Sequence, residues 1–115
     1  MTAELVLAAP LALLLVLLGV QSAVWAHAQH VAQAVTGQAL AAARVQDGTA
    51  ARGRAEAAAV LNQVGRRVLL DPRIVVDRSA TTARVELSGY AQTVVPGFHL
   101  PVHAAADGPV ERLTP

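Results

Sequence analysis

The sequence predicts an α+β protein anchored in a membrane, with a long N-terminal transmembrane helix, a second helix and a small antiparallel β-sheet. An uninterrupted apolar run occupies residues 5–20. Helical periodicity continues beyond it until Asp71-Pro72, after which apolar and polar residues alternate, as is typical of β-strands. We expect the helix with its span at 1–46 and an extracytoplasmic helix-plus-sheet domain at 47–115.

The transmembrane segment is expected at about residues 5–26, because apolar residues resume after Gln21 and Ser22. A helix over this range would be roughly 33 Å long, which matches a hydrocarbon core of about 30 Å. Trp25 would then lie at the membrane interface, where aromatic residues are enriched. The chain is 54% hydrophobic, more than a typical soluble domain, and this also favours a membrane segment.

A cleaved secretory signal is the main alternative, because Ala26-His27-Ala28 has the small-x-small form of a cleavage site. Against it, the residues before the apolar run include Glu4 and no Lys or Arg, whereas signal peptides begin with positive charge. The first Arg downstream is Arg44, so charge alone does not orient the segment. The alternative function is therefore a secreted or membrane-tethered binding module whose N-terminus serves only for targeting.

The first helix is expected to continue beyond the membrane to Val45, because residues 27–45 contain no Pro and one Gly. Its apolar stripe, which includes Val31 and Val35, is built mostly from small residues. Such a stripe suits close packing against other helices, although a solvent-exposed stalk with incidental alanines is an equal alternative.

A second helix is expected after the break at Asp47-Gly48. Thr49 would be its N-cap, and it would run over residues 50–64 and end at Gly65. Its apolar face would consist of Val60, Leu61, Val64 and Val68. Nearby arginines at 52, 54, 66 and 67 are expected to form a solvated face.

The C-terminal part is predicted to form three or four antiparallel strands. The ranges expected from alternation are 73–78, 82–88 and 98–107. The last strand follows the turn signal Pro96-Gly97, and its inward face would include Phe98. Pro101 would place this strand at a sheet edge or force a bulge.

Composition argues against catalysis, metal binding and nucleic-acid binding. The chain has no Cys. Its nine basic residues are all Arg, are scattered along the sequence and are offset by eight acidic residues, which leaves a net charge of +1. His27 and His30 have helical spacing but no nearby carboxylate or thiol, and His99 and His103 would be about 13 Å apart along a strand. We therefore expect no enzyme and no cofactor, metal, nucleic acid or small-molecule substrate.

Glu4 is the ionisable residue that stands out, because it directly precedes the apolar run. An unpaired carboxylate is costly at membrane depth. Glu4 either rests among the lipid headgroups or pairs with a cation, for which the N-terminal amine of a neighbouring copy is the candidate.

The N-terminus resembles the TadE-like family of tight-adherence (Flp) pilus proteins, which are relatives of type IV pilins and pseudopilins. The resemblance is carried by a Glu, then apolar residues, then a Pro six positions later inside the membrane helix, in the segment Thr2-Ala3-Glu4-Leu5-Val6-Leu7-Ala8-Ala9-Pro10. The segments 94–97 and 108–112, with the strand between them, are similar to the closing part of many members.

The resemblance implies a minor pilin that works by helix packing, with Glu4 and Pro10 as the residues that match the family pattern. Trp25, which is expected at the membrane interface, is the third membrane-helix residue of interest. The partners of this minor pilin would be membrane lipid, other pilins, the pilus assembly machinery and a prepilin peptidase. It would be a single-pass protein of the cytoplasmic membrane, with its C-terminal part outside the cytoplasm and a final place in an extracellular pilus.

Two features depart from the family pattern. The cysteines of some relatives are absent, and no basic leader ending in Gly precedes Thr2. Because the family places the acid fifth in the mature chain and Glu4 is fourth, we expect the true start to lie upstream of Met1.

Overall fold

The computed structural model, which describes residues 2–45, 47–65 and 67–111, is an α+β fold of two layers. Its elements are α1 (Thr2–Arg44), α2 (Ala50–Val60) with a π-helical turn (Leu61–Gly65), β1 (Leu69–Arg78), β2 (Thr82–Ala91) and β3 (Pro101–Pro109). The strands form an antiparallel sheet in the order β1-β2-β3. The predicted order of a long apolar helix, a second helix and an antiparallel sheet is confirmed.

Helix α1 is one continuous helix of 43 residues, about 65 Å long at 1.5 Å per residue. Its first half, residues 2–20, contains no buried residue, and burial begins at Gln21. The buried residues of the second half recur every three or four positions, at Ala28, Ala32, Val35, Thr36, Ala39, Leu40 and Ala43. The second half of α1 is therefore the spine of the domain, and the first half projects from an elongated molecule of 80 × 21 × 18 Å.

The small residues of α1 pack against α2 and the sheet, so the alternative of a solvent-exposed stalk is wrong. Gly53 of α2 makes the closest approach: a Cβ there would lie 2.9 Å from Val76 Cγ1 and 3.1 Å from Ala43 Cβ. Ala57, one turn later on the same face, is fully buried. Because these side chains are small, the two helices and β1 come together without a gap.

Thr49 is the N-cap of α2, as predicted, because its hydroxyl accepts a hydrogen bond from the Arg52 backbone N–H at 3.0 Å. The helical segment ends at Gly65, but the α-helix itself ends at Val60, earlier than predicted. The π-helical turn that follows leaves the sequence neighbours Val60 and Leu61 both buried. The side chain of Val64 lies outside the described residues, as do Met1, Arg66 and Arg112.

Strand β1 begins at Leu69, four residues before the predicted start, so the expectation that Asp71-Pro72 precedes the strand is wrong. Leu70 pairs with Tyr90 and the register shifts before Arg73, which marks a bulge. Asp71 has a φ of 48° in this bulge. A bulge accommodates Pro72, which has no N–H for the ladder, and lets the strand continue on both sides.

One face of the sheet is buried against the helices, and the other carries mainly polar residues. In β2 the residues Ala83, Val85, Leu87, Gly89 and Ala91 point inward, and in β3 Val102 and Ala104 do so. Pro101 opens an edge strand, as predicted. Phe98 was predicted to point inward and is instead 40% exposed, because it closes a turn before β3 begins.

Candidate functional site at the N-terminal helix

The first half of α1 is long and apolar enough to cross a membrane. Its most apolar window has a mean hydropathy of 2.5, and none of that window is buried. Leu5 and Leu7 are 70% and 73% exposed. Soluble proteins rarely expose a continuous apolar surface of this kind. At about 28 Å, residues 2–20 match the hydrocarbon thickness of a bilayer.

Glu4 and Pro10, two of the three residues singled out from the sequence, lie on this exposed half. Glu4 is in the first turn, where a carboxylate interacts favourably with the helix dipole. Pro10 lies within the helix without ending it. Trp25, the third residue, lies on the half that packs against the domain.

Gln21 is the junction between the two halves of α1. Its side chain is 1% exposed, and its Oε1 accepts hydrogen bonds from the backbone N–H groups of Val94 and Val95 at 2.7 and 3.1 Å. Its Nε2 donates to the Gln92 carbonyl at 3.0 Å. One buried amide thus satisfies three backbone groups of the loop between β2 and β3 and fixes this loop to the helix.

Three further side chains of α1 bind the outer edge of β3. Trp25 Nε1 donates to the Pro101 carbonyl at 2.9 Å, and Gln29 Nε2 donates to the His103 carbonyl at 2.6 Å. At the far end, Arg44 Nε donates to the Pro109 carbonyl at 2.8 Å. Helix α1 therefore runs beside β3 in the same direction and covers an edge that would otherwise expose unpaired carbonyls.

These contacts bear on the alternative of a signal peptide cleaved after Ala28. Ala28 is fully buried in the middle of the packed helix. Cleavage there would remove Gln21 and Trp25, leaving the backbone groups of Val94, Val95 and Pro101 without the partners described above. The packing of α1 thus favours a chain that retains its N-terminal helix.

Arg78, at the end of β1, holds the turn between the two helices. Its guanidinium donates to the carbonyl oxygens of Gly48 and of Val45, the latter at 3.1 Å. A cationic group at the C-terminus of α1 also complements the helix dipole. The distal end of α1 is thereby fixed to the sheet, as Gln21 fixes the start of its packed half.

Polar clusters elsewhere are small and exposed. Arg84 pairs with Glu86 at 2.7 Å and lies 3.6 Å from Asp107, and the hydrogen bond to Glu86 raises the pKa of Arg84. Among the described residues, no three His, Cys, Asp or Glu side chains come together in a way that could hold a metal ion. A surface cleft of about 400 Å³ between the π-helical turn and β1 is lined mainly by aliphatic residues and the bulge at Asp71.

Sequence reasoning missed Gln21 and Gln29 as anchoring residues. Gln21 was treated as an interruption between two apolar stretches, and Gln29 was given no role. The signal was present in their spacing, because Gln21, Trp25 and Gln29 recur every four residues and so share one helix face.

Comparison with family models gave no match for the chain. No curated protein and no solved structure matched it either.

Proposed function

We propose that this chain is a single-pass membrane protein of the cytoplasmic membrane that acts as a TadE-like minor pilin. It serves pilus assembly by helix packing and carries out no reaction. The observation that supports the proposal is the division of α1, whose apolar half at 2–20 is free while its other half is the spine of a small domain. A rigid helix shared by both parts couples the position of the domain to the packing of the apolar segment.

The partners in this proposal are membrane lipid before assembly and the apolar helices of other pilins after it. Both offer an apolar surface, so the exposed side chains at 2–20 remain shielded from water in either state. The soluble domain lies outside the cytoplasm, and the assembly machinery and a prepilin peptidase act on the chain during export. The sequence resemblance at residues 2–10 supports the same assignment.

The proposal is tested in the native host after deletion of the chromosomal copy. The full chain is compared with a variant in which residues 2–20 are replaced by a cleavable signal peptide, so that the domain is exported without its apolar helix. We expect the full chain to be recovered with sheared pili or to restore their number, and the exported domain to do neither. The proposal is wrong if the helix-free domain supports pili as well as the full chain, or if the full chain neither enters pili nor alters their number.

A further inference from the structure

The three aromatic residues of the chain lie together at one end of the domain. Trp25 Nε1 binds the Pro101 carbonyl, and Tyr90 is the strand partner of Pro101. Phe98 closes the turn before β3, where its N–H donates to the Val95 carbonyl at 3.1 Å. We call this the junction end, formed by residues 92–101 with Trp25, Leu70 and Tyr90, because Gln21 joins it to the free half of α1.

The aromatic rings at the junction end face outward and not into the core. Trp25, Tyr90 and Phe98 are 38%, 44% and 40% exposed, and Leu70, the partner of Tyr90 in β1, is 38% exposed. Outside residues 2–20, the other large apolar side chain found exposed in the described part of the chain is Val75. In a chain with 3% aromatic residues, the exposed apolar surface of the domain is thus concentrated at one end.

The opposite end of the domain is polar. The turn between β1 and β2 is closed by the Ser79 hydroxyl, which accepts the Thr82 N–H at 3.0 Å. Arg84 pairs with Glu86 and Asp107 on the solvent face of the sheet near this end. The domain is therefore amphipathic along the axis of α1.

The length of the apolar half of α1 places the junction end at a membrane surface. If residues 2–20 cross the hydrocarbon, its boundary lies at Gln21, which is level with the loop at 92–95. Trp25 lies about 6 Å further along the helix, within a headgroup layer that is about 5–8 Å thick. Trp and Tyr side chains are enriched in this layer because one part of the ring is apolar and the other polar.

A groove on the other side of α1 lies at the same level. It has a volume of about 430 Å³ and is lined by Val20, Ala23, Val24 and Val68 together with the polar residues His27, Arg67 and Gln92. The Arg67 carbonyl accepts a hydrogen bond from Gln92 of the loop at 2.6 Å, which ties this segment to the junction end. An apolar groove with an arginine among its lining residues suits an acyl chain and a lipid phosphate.

We infer that the junction end is a second membrane contact in addition to residues 2–20. It lies in the lipid headgroup layer beside α1, with Phe98 and Tyr90 in contact with lipid. The inference rests on the membrane anchoring in the proposed function and adds to it a fixed orientation of the domain. The domain would lie against the bilayer before assembly and would leave it when the apolar helix passes to other pilins.

The experiment uses the full chain reconstituted in phosphatidylcholine vesicles, with a single Trp as the fluorescent probe. Trp25→Phe removes the native Trp, and Phe98→Trp in that background places the probe at the junction end. Val75→Trp in the same background is the matched control, because Val75 is 52% exposed in the middle of β1 on the solvent face. Vesicles with brominated acyl chains report contact with lipid by quenching, and flotation on a density gradient reports anchoring separately.

We expect all variants to float with the vesicles. The Trp probe at position 98 should emit at shorter wavelength than the probe at position 75 and lose at least half of its intensity with brominated lipid. The emission of the probe at position 75 should not change with brominated lipid. If the protein floats but the probe at 98 is not quenched, the contact of the junction end with the headgroup layer is wrong and the membrane anchoring by α1 stands. A blue shift at 98 without bromine quenching means that another protein copy covers this end, which also overturns it. If the full chain does not float, both the contact of the junction end with lipid and the proposed anchoring are wrong.

Discussion

Gln21 on α1 and Val94 in the loop before β3 are joined by a hydrogen bond of 2.7 Å between the buried amide oxygen and the backbone N–H. The two residues are far apart in sequence, and the bond lies where the free half of α1 meets the domain. Because Val95 donates to the same oxygen at 3.1 Å, one side chain fixes the direction of the helix relative to the loop. The direction of the apolar half of α1 relative to the folded domain is therefore fixed by this contact.

We predict that Gln21→Leu destabilises the domain by about 2–4 kcal/mol, because each buried N–H left unpaired costs about 1–3 kcal/mol. The measurement is denaturant unfolding of the full chain in detergent micelles, followed by Trp25 fluorescence. Gln38→Leu, at an exposed position of the same helix, is the control and is expected to change stability by less than about 0.5 kcal/mol. Equal stability of the two variants would contradict the role given to Gln21.

We predict that alanine at Gly53 and at Gly37 has opposite effects. At Gly37 an added Cβ meets nothing within 4 Å, so Gly37→Ala should stabilise α1 by roughly 0.5–1 kcal/mol through helix propensity. At Gly53 the same Cβ would lie 2.9 Å from Val76 Cγ1, and overpacking of about 1–3 kcal/mol should outweigh the propensity gain. The measurement is the Tm of each variant, which should rise for Gly37→Ala and fall for Gly53→Ala. A rise in Tm for Gly53→Ala would show that α2 packs more loosely than described.

We predict that the domain expected at 47–115 needs the packed half of α1, so that residues 21–115 fold without the apolar half and residues 47–115 alone do not. The shorter piece lacks Ala28, Ala32, Val35, Ala39 and Ala43, all of which are fully buried in the core. It would also expose the edge of β3 that α1 covers. Circular dichroism and amide exchange of the two pieces test this, and a cooperative unfolding transition in 47–115 would contradict it.

The order and type of the helices and strands could be predicted from local sequence patterns, but the contacts between them could not. The apolar run at 5–20, the break at Asp47-Gly48 and the Thr49 N-cap depend on neighbouring residues alone, so the sequence contains the signal directly. The start of β1 was missed because Asp71-Pro72 usually ends an element. Here the pairing of Leu69 with Ala91 continues the strand beyond the bulge, and this pairing partner is distant in sequence.

Of the candidate site, the residues on the apolar half of α1 could be predicted from the sequence, and the residue that joins this half to the domain could not. Glu4 was identified because it directly precedes the apolar run, and Pro10 because the Glu-to-Pro spacing resembles a family pattern, and both signals are visible in the sequence. The role of Gln21 depends on a loop more than seventy residues away, at Gln92 to Val95, and no local pattern specifies that contact. Phe98 was placed inside by extending the alternation of β3 backwards, whereas Phe98 closes the turn at Pro96-Gly97 and β3 begins only at Pro101.

We predict that Glu4 governs assembly and not folding. It lies on the exposed half of α1, far from the core, so Glu4→Ala should leave the unfolding transition of the domain unchanged. Membrane insertion should be equal or better, because removing a charge beside the apolar segment lowers the insertion cost. Under the proposed function, recovery in pili should fall about tenfold or more, because a carboxylate in lipid needs a cation as its partner, and we propose the amine of an adjacent pilin as that cation.

Two further variants separate charge from shape. Glu4→Gln keeps a polar side chain without the charge and should behave like Glu4→Ala if the ion pair matters, or like wild type if hydrogen bonding suffices. Pro10→Leu is the control, because it restores a backbone donor within the helix and leaves Glu4 charged. Recovery of each variant with sheared pili, relative to its amount in the membrane, is the measurement. Should Glu4→Ala protein enter pili as well as wild type in a strain without the native copy, Glu4 is a headgroup residue and pairing with a neighbour's amine is wrong.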